Sequence, residues 1–410
     1  MAVATTSEPN RVLRTFGIGC MHLRPAMDDL DSLAGSEYLD RLRAFLTAVP
    51  GASDVDIHAA APDATIRAIL PIGIKSGGRA APLVLGMRIV FRLHVPIAEQ
   101  FSVLRPLGID DPESSEDFRI VLIYGSSRPS VFVSSLRSLD PSMSVAIVRE
   151  HLEQFSEKYG FVVETLAPSP CPVDGVLLEV DGRDSTNPGS RLTHSFEWSE
   201  TRALLRAYAQ AGAFESTEAA EDALFHRLSD GVQTFYKVVA AERRISEQRD
   251  ELAALNQDVI KLHRDPGLKT WLRRTYVGGR RLRDLAVGVA TFEARQSQVR
   301  RSFERSTDSE YGGGDALAPM TRSYINTSFD ADTRPWQVTA DLFERRRLTA
   351  VQARSGVAAA LVAAAIGAGV TYVATRPSEP TLIRPTIVVR QPPVRPTIVV
   401  NVPARPSSVH

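Results

Sequence analysis

The sequence predicts an α+β N-terminal domain, then a helical region that forms a coiled-coil hairpin, and finally one C-terminal transmembrane helix. Three patterns predict this order: short β-type runs in the first half, a seven-residue apolar repeat in the middle, and a charge-free apolar run near the end. The predicted segments are an α+β cytosolic domain at 1–198, a helical hairpin at 199–305, a flexible linker at 306–334, a juxtamembrane helix with the span at 335–375, and a Pro-rich extended tail at 376–410.

The composition limits the classes of protein that fit. A length of 410 residues allows two or three domains, and a formal net charge of zero provides no overall basic field for nucleic acid. Five lysines against 43 arginines, together with many alanines, indicate a GC-rich bacterial genome. Cys20 and Cys171 match no metal-ligand spacing, so we expect reduced thiols. The first residues lack the apolar core of a secretory signal, so we expect the late span to direct membrane insertion.

The first domain is predicted from strands that cluster with few helices between them. The β-type runs are Leu13–Leu23, Asp54–His58, Ala64–Ile72, Met87–Val95, Asp117–Tyr124, Phe161–Leu166 and Gly175–Val180. The last two flank a Pro-rich turn and are predicted to pair as a hairpin. Amphipathic spacing predicts helices at Ser36–Ala48 and Ser142–Tyr159. This clustering favours an α+β fold over a doubly wound sheet.

Few residues of the first domain suggest a reaction. The acids Asp28, Asp29 and Asp31 fall in a polar run without ligand spacing, which is typical of a solvated loop. The run Lys75–Arg79 lacks the spacing of a phosphate-binding loop. Three histidines beside apolar runs are interpreted as structural: His22, His58 and His94. We therefore assign no catalytic, metal-binding or cofactor-binding residue, and we favour a non-enzymatic protein over an enzyme.

The middle of the chain predicts helices with apolar seams. One helix is expected from Ser199 to Ala211 and another from about Ser216 to His263. The seam of the second helix consists of Val238, Ile245, Leu252 and Val259, with Ala241, Gln248, Leu255 and Leu262 at the companion positions. After a turn at Asp265–Gly267, a further seam consists of Leu282, Leu285, Val289, Phe292, Val299 and Phe303. Two seams around a break favour an antiparallel hairpin, and a parallel oligomeric coiled coil is the alternative.

The break between the two seams holds the most basic patch of the chain. Its members are Lys269, Arg273, Arg274, Arg280, Arg281 and Arg283, with Trp271 and Tyr276 interleaved. Basic and aromatic residues together suit anionic lipid headgroups or nucleic-acid phosphates. Lipid is favoured because the chain already has a candidate span, and a solvated hairpin tip is the alternative.

The run Ser355–Thr375 is the predicted span. Its twenty-one residues carry no charge and, as a helix, would extend about 30 Å, the thickness of a hydrocarbon core. The alternative is an Ala-rich helix buried in a soluble bundle. Small residues recur at helical spacing and predict close self-association in lipid: Gly356, Ala360, Ala364, Gly367 and Ala368. Four arginines precede the run closely, so the positive-inside rule places the N-terminal part in the cytoplasm.

The tail repeats RPTIVV at Arg384–Val389 and Arg395–Val400, which is typical of an extended or disordered segment. The whole layout predicts a single-pass protein of the bacterial cell membrane, a non-enzymatic sensor or scaffold whose cytoplasmic domain binds an unidentified ligand or protein partner. The alternative is a membrane-perturbing, defence-type effector whose spans form homo-oligomers on a signal. We expect no cofactor and no nucleic-acid partner.

Overall fold

The structure is a computed structural model, and it divides the chain into two compact units, Met1–Glu344 and Arg345–His410. The described residues are 11–26, 35–60, 65–68, 81–84, 86–105, 115–125, 129–136, 140–169, 171–180, 191–198, 203–264, 277–308, 317–329 and 332–374. The first unit contains a mixed α/β sheet domain followed by helices, and one apolar helix lies towards the C-terminus.

The elements up to residue 210 are mainly strands. In chain order they are β1 (Arg11–Gly19), β2 (Met21–Pro25), α1 (Gly35–Ala48), β3 (Ala52–Ala59), β4 (Thr65–Ala68), β5 (Ala81–Val84), β6 (Met87–His94), α2 (Ile97–Leu104), β7 (Asp117–Tyr124), β8 (Pro129–Ser135), α3 (Pro141–Ser156), β9 (Phe161–Thr165), β10 (Val173–Val180), β11 (Leu192–Trp198) and β12 (Ala203–Gln210). The elements that follow are helices: α4 (Thr217–Arg264), α5 (Gly278–Asp308), α6 (Ala318–Ser328) and α7 (Arg334–Ala374).

Eight strands form the main sheet, in the order β11-β12-β10-β1-β8-β7-β6-β3. Neighbouring strands run antiparallel, except that β10 and β12 are parallel. Strands β2 and β9 pair separately, as do β4 and β5. In the central strand β8, Val131 and Val133 face one core and Phe132 faces another. Both faces of the sheet are therefore covered, which makes β8 buried at every position.

The first core lies between one face of the sheet and helices α1 and α3. Helix α1 buries Tyr38, Leu42 and Phe45, and the Phe45 ring stacks on Phe161 of β9 with centroids 4.8 Å apart. The Tyr38 hydroxyl donates a hydrogen bond of 2.8 Å to the carbonyl oxygen of Leu23. This bond satisfies the one polar atom that the ring carries into the core.

The second core lies on the opposite face of the sheet, under the first half of α4. Phe225 of α4 stacks on Phe132 with centroids 4.5 Å apart and contacts Phe16 edge-on at 5.2 Å. Gly175 on the neighbouring strand β10 lies directly beneath the Phe16 ring, where a Cβ atom would clash. The absence of a side chain at that position makes room for the three-ring cluster.

The third core lies among the helices. It contains the apolar seam of α4 (Val238, Ile245, Leu252, Val259) and that of α5 (Leu282, Leu285, Val289, Phe292), with contributions from α6 and from the first turns of α7. Arg281 pairs with Asp258, and Gly288 lies against Leu252. Because later residues of α5 meet earlier residues of α4, the two helices run antiparallel.

Three predictions about elements are wrong. The helix expected at Ser199–Ala211 is replaced over Ala203–Gln210 by strand β12, whose alternating burial shows a period of two. The hairpin expected from Phe161–Leu166 and Gly175–Val180 does not form: β9 pairs with β2, whereas β10 lies between β1 and β12. Helix α6 lies inside the segment predicted as a flexible linker, 306–334, because Met320 and Ile325 are buried in the helical cores.

The predicted helix at Ser36–Ala48 and the strands at Met87–Val95 and Asp117–Tyr124 are confirmed. The acids Asp28, Asp29 and Asp31 and the run Lys75–Arg79 lie outside the described residues, as does the Pro-rich tail at 376–410.

Candidate membrane segment and charged sites

The apolar part of α7 exposes its large side chains. The exposed fractions of Val357, Leu361, Val362 and Ile366 are 62%, 65%, 59% and 62%. The most apolar stretch of the helix has a mean hydropathy of 1.4, and none of it is buried. Among the described residues, this is the one helix long and apolar enough to cross a membrane. Such an uncovered apolar surface is uncommon on water-soluble proteins and marks a membrane or protein contact.

The small residues that predict helix association lie on this helix. Gly356, Ala360 and Ala364 are four residues apart, so they occupy one side of α7. A Cβ atom at Gly356 would meet no described atom within 4 Å apart from its chain neighbours and the backbone of its own helix. Gly367 and Ala368 continue the helix, and their side-chain surroundings lie outside the described part of the chain.

The structure describes half of the basic patch predicted between the seams. Arg280, Arg281 and Arg283 lie in the first turns of α5, whereas the other three members lie outside the described residues: Lys269, Arg273 and Arg274. Arg280 and Arg283 are exposed, and Arg281 is engaged with Asp258.

Sequence analysis missed two further basic side chains at the same end of the helix pair. Lys261 and Arg264 lie in the last turn of α4 and are exposed. The antiparallel pairing of α4 and α5 brings this turn next to the start of α5. We call Lys261, Arg264, Arg280 and Arg283 together the basic tip. The missed signal was available: basic residues that end one helix and begin its antiparallel neighbour must lie at the same end of the pair.

The two halves of the basic tip differ in their helix-dipole energetics. Cations in the last turn of α4 complement the negative end of the helix dipole. Arg280, Arg281 and Arg283 instead begin α5, whose first turn contains no acid, so they lie at the positive end of a dipole. This placement of the arginines is electrostatically unfavourable. A bound anion would offset the repulsion between the arginines and the positive end of the α5 dipole.

A second charged site joins α4 to the sheet through a buried carboxylate. The Glu221 side chain is 0% exposed. Its Oε2 lies 3.2 Å from Nη1 of Arg119 on β7, and its Oε1 lies 3.4 Å from Nε of Arg14 on β1. Burial raises the pKa of Glu221, and the charge of Arg119, the neighbouring Ser134 hydroxyl and the charge of Arg14 offset only part of that rise. Glu221 therefore depends on its arginine partners to remain ionised.

The contacts around Glu221 extend along the first turns of α4. Asp222 accepts a hydrogen bond of 2.6 Å from Nη2 of Arg119 and pairs with Arg88 of β6. Glu218 accepts one of 2.5 Å from Arg92, also on β6. We call these acids and the arginines of β1, β6 and β7 the arginine network. Sequence analysis did not detect this network, because the strand arginines that Glu218 and Glu221 meet are more than a hundred residues away.

The three histidines interpreted as structural have carboxylate neighbours. Buried His22 has its Nδ1 atom 3.9 Å from Glu164, which also accepts a hydrogen bond of 2.7 Å from Arg24. Burial acts to raise the pKa of Glu164, but the interactions with His22 and Arg24 outweigh it, and the net shift is downward. The other two lie in exposed pairs: His58 is 2.8 Å from Asp56, and His94 is 2.9 Å from Asp117. Over the described ranges, no group of three or more His, Cys, Asp or Glu side chains is arranged to hold a metal ion.

Both cysteines are reduced and buried in the second core. The Sγ atom of Cys171 lies 3.8 Å from the Sδ atom of Met320 on α6. Burial raises the pKa of the Cys171 thiol well above its usual range, which makes the thiolate scarce. In the folded state we therefore expect this thiol to react slowly.

Comparison with protein-family models, with curated proteins and with solved structures gives no match to this chain. The function must therefore be argued from the sites themselves.

Proposed function

We propose that the chain is a single-pass, non-enzymatic membrane protein of bacterial type, whose cytoplasmic α/β domain senses or scaffolds a ligand or protein partner. The α4–α5 pair is a coiled-coil hairpin between that domain and the span. The proposal is supported chiefly by the exposure of the apolar half of α7, since the described part of the chain leaves the side chains of Val357, Leu361 and Ile366 largely exposed. Lipid provides the cover that these side chains lack.

The packing of the first unit supports a separate role for the apolar helix. The three cores are built from residues up to Phe343, which lies just before the end of the first unit at Glu344. In the described part of the apolar run that follows, which reaches Ile366, no side chain belongs to these cores. A helix that the soluble fold does not use for its own core is free to serve as an anchor.

The proposed orientation follows from arginine placement. Arg345, Arg346, Arg347 and Arg354 precede the span, and Arg376 follows it. The more basic flank stays in the cytoplasm, so the α/β domain is cytoplasmic and the Pro-rich tail is outside.

Membrane fractionation tests the proposal. The full chain and a version that ends at Arg347 are expressed in bacteria, and the membranes are washed with alkaline carbonate. We expect the full chain to resist extraction and the shorter version to be soluble, with protease added outside the cells removing only the tail of the full chain. If the full chain is recovered in the soluble fraction, the anchor is refuted.

A second function is favoured by the small-residue row of Gly356, Ala360 and Ala364, which lies on the exposed helix. In this alternative, the spans associate on a signal and perturb the bilayer. Toxicity on overexpression that disappears when Ala364 and Ala368 become Leu would favour the effector over the sensor. A non-toxic chain whose membrane retention is unchanged by these substitutions would favour the sensor.

A further inference from the structure

We propose that the basic tip docks on the anionic lipid headgroups of the cytoplasmic leaflet of the membrane that the span crosses. The docking would hold the α4–α5 hairpin against the membrane surface. This inference rests on the proposed membrane anchor, and it adds a second and separate membrane contact with a defined lipid chemistry.

The first step is the direction in which α7 runs through the first unit. Near its start, Trp336 packs edge-on against Phe292, and Gln337 donates a hydrogen bond of 2.5 Å to Glu293. Two turns later, the Phe343 ring stacks on His263 with centroids 4.1 Å apart. Helix α7 thus begins beside the middle of α5 and proceeds towards the end of α4.

The second step is that this end of the helix bundle carries the basic tip. His263 lies in the last turn of α4, between Lys261 and Arg264. Phe343 is therefore packed at the basic end of the hairpin, and Glu344, the next residue, is the last of the first unit. The chain leaves the soluble unit for the apolar run at the end where the exposed cations are concentrated.

The third step is the charge of this end. The described residues at this end, 261–264 and 277–283, contain five lysines and arginines and no acid, in a chain with no net charge. Within the described part, the pairing of Asp258 with Arg281 leaves Arg280 and Arg283 exposed. Asp284 follows and is exposed, but it offsets only one of these positive charges. A concentrated patch of this sign, in a unit that the chain joins to the proposed span, matches the anionic surface of a cytoplasmic leaflet.

The fourth step is a comparison of ligands. Each basic residue near an anionic membrane raises the binding constant by about fivefold. A tethered tip also meets the surface as an intramolecular partner, so modest intrinsic affinity is sufficient. Nucleic acid would bind the same charges through its phosphates, but nothing tethers it near the tip, whereas the proposed anchor keeps lipid there.

The experiment uses the full chain reconstituted into vesicles, with an environment-sensitive dye at the tip. Val277, which is 41% exposed at the start of α5, is replaced by cysteine and labelled. The native cysteines, Cys20 and Cys171, are buried and do not compete for the dye under folding conditions. Vesicles of phosphatidylcholine alone are compared with vesicles that also contain phosphatidylserine. We expect the dye emission to rise and shift to the blue only with phosphatidylserine, and 0.5 M salt to reverse the change.

Matched charge variants locate the contact. Replacing Arg264, Arg280 and Arg283 together by Gln is expected to weaken docking about a hundredfold and abolish the dye response. The control removes the same charge from exposed arginines further along α5 (Arg295, Arg301 and Arg305 to Gln) and should leave the response intact. If the tip variant fails to fold, the lipid and salt dependence of the unsubstituted tip still decides the result.

The outcomes separate this inference from the anchor. Carbonate extraction of the same vesicles reports insertion. Failure to insert refutes the anchor and, with it, the docking. An inserted chain whose dye ignores phosphatidylserine refutes the docking alone. If the dye responds to a duplex oligonucleotide but not to phosphatidylserine, the docking on lipid is refuted, and the partner of the tip is nucleic acid.

Discussion

The arginine network predicts that replacing Arg119 lowers the free energy of unfolding more than replacing Glu221 does. Glu221 is fully buried, and Arg119, whose side chain is 12% exposed, is its nearest partner at 3.2 Å. In Arg119→Met, the buried carboxylate keeps Arg14, at 3.4 Å, as its remaining cationic partner. Removing one partner of a buried ion pair costs about 3–5 kcal/mol, and we expect about 3 because Arg14 remains. In Glu221→Gln, Arg119 keeps its bond to Asp222, so we expect a loss of about 1 kcal/mol.

The native thiols provide the assay. Cys20 and Cys171 are both buried in the second core, which α4 covers, so their reaction with a fluorogenic maleimide reports opening of that core. For the full chain in mild detergent at pH 8, we expect labelling about a hundredfold faster in Arg119→Met and about fivefold faster in Glu221→Gln. The control is Arg206→Met, which removes a partly exposed pair with Glu197 and should change the rate little.

The pH dependence provides an internal check on the same variant. Because the pKa of Glu221 is already raised in the fold, the carboxyl group can take up a proton when Arg119 is lost, and this limits the penalty. The ratio of the labelling rate of Arg119→Met to that of the unsubstituted protein should therefore shrink as the pH falls from 8 to 5. The reasoning is refuted if Glu221→Gln labels as fast as Arg119→Met, or if neither differs from the Arg206→Met control.

Three further predictions concern other sites. Gly17→Ala should lower stability by about 1–3 kcal/mol, because its Cβ atom would clash with the backbone carbonyl oxygen of Pro141, and thermal denaturation with Gly356→Ala as the control would test this. Ala364→Arg should abolish resistance to carbonate extraction, since an arginine at the centre of a span costs about 3 kcal/mol, whereas Ala364→Leu should retain it. Glu164→Gln should be less stable than the unsubstituted protein near pH 7, because the pKa of Glu164 is lowered by folding. That difference should vanish as the pH falls below about 4, and a constant difference from pH 7 to pH 3 would contradict the assigned ion pair.

Local patterns predicted the helical seams well. Val238, Ile245, Leu252 and Val259 are all buried, because their seven-residue spacing places them on one side of α4 whatever the partner is. The partner itself, a neighbouring helix of the same chain, was one of two alternatives that periodicity alone could not separate.

Two strands of the main sheet, β12 and β8, were harder to predict. Ala203–Gln210 consists largely of Ala and Leu, which favour helices, and only its place between β11 and β10 makes it a strand. Strand β8 was missed because burial on both faces removes the alternation that marks a half-exposed strand. In both cases, tertiary contacts with strands distant in sequence outweigh the local preference.

The charged sites, too, could be predicted only where their residues are close together in sequence. Arg280, Arg281 and Arg283 were recognised because they are close together in sequence, whereas Lys261 and Arg264 join them only through the antiparallel packing of α4 and α5. The pairing of Glu221 with Arg119 depends on where α4 lies on the sheet, which no short sequence pattern encodes.

Helix α4 belongs to two cores at once. Its first half, at Phe225, lies on the sheet, and its second half, at Leu252, packs with α5. At 48 residues it is about 72 Å long, so a tilt of about 3° at the sheet end would move the opposite end by about 4 Å. A binding event at the sheet could shift the strands by less than the width of an atom. Helix α4 would convert that shift into a displacement of several ångströms at its C-terminal end.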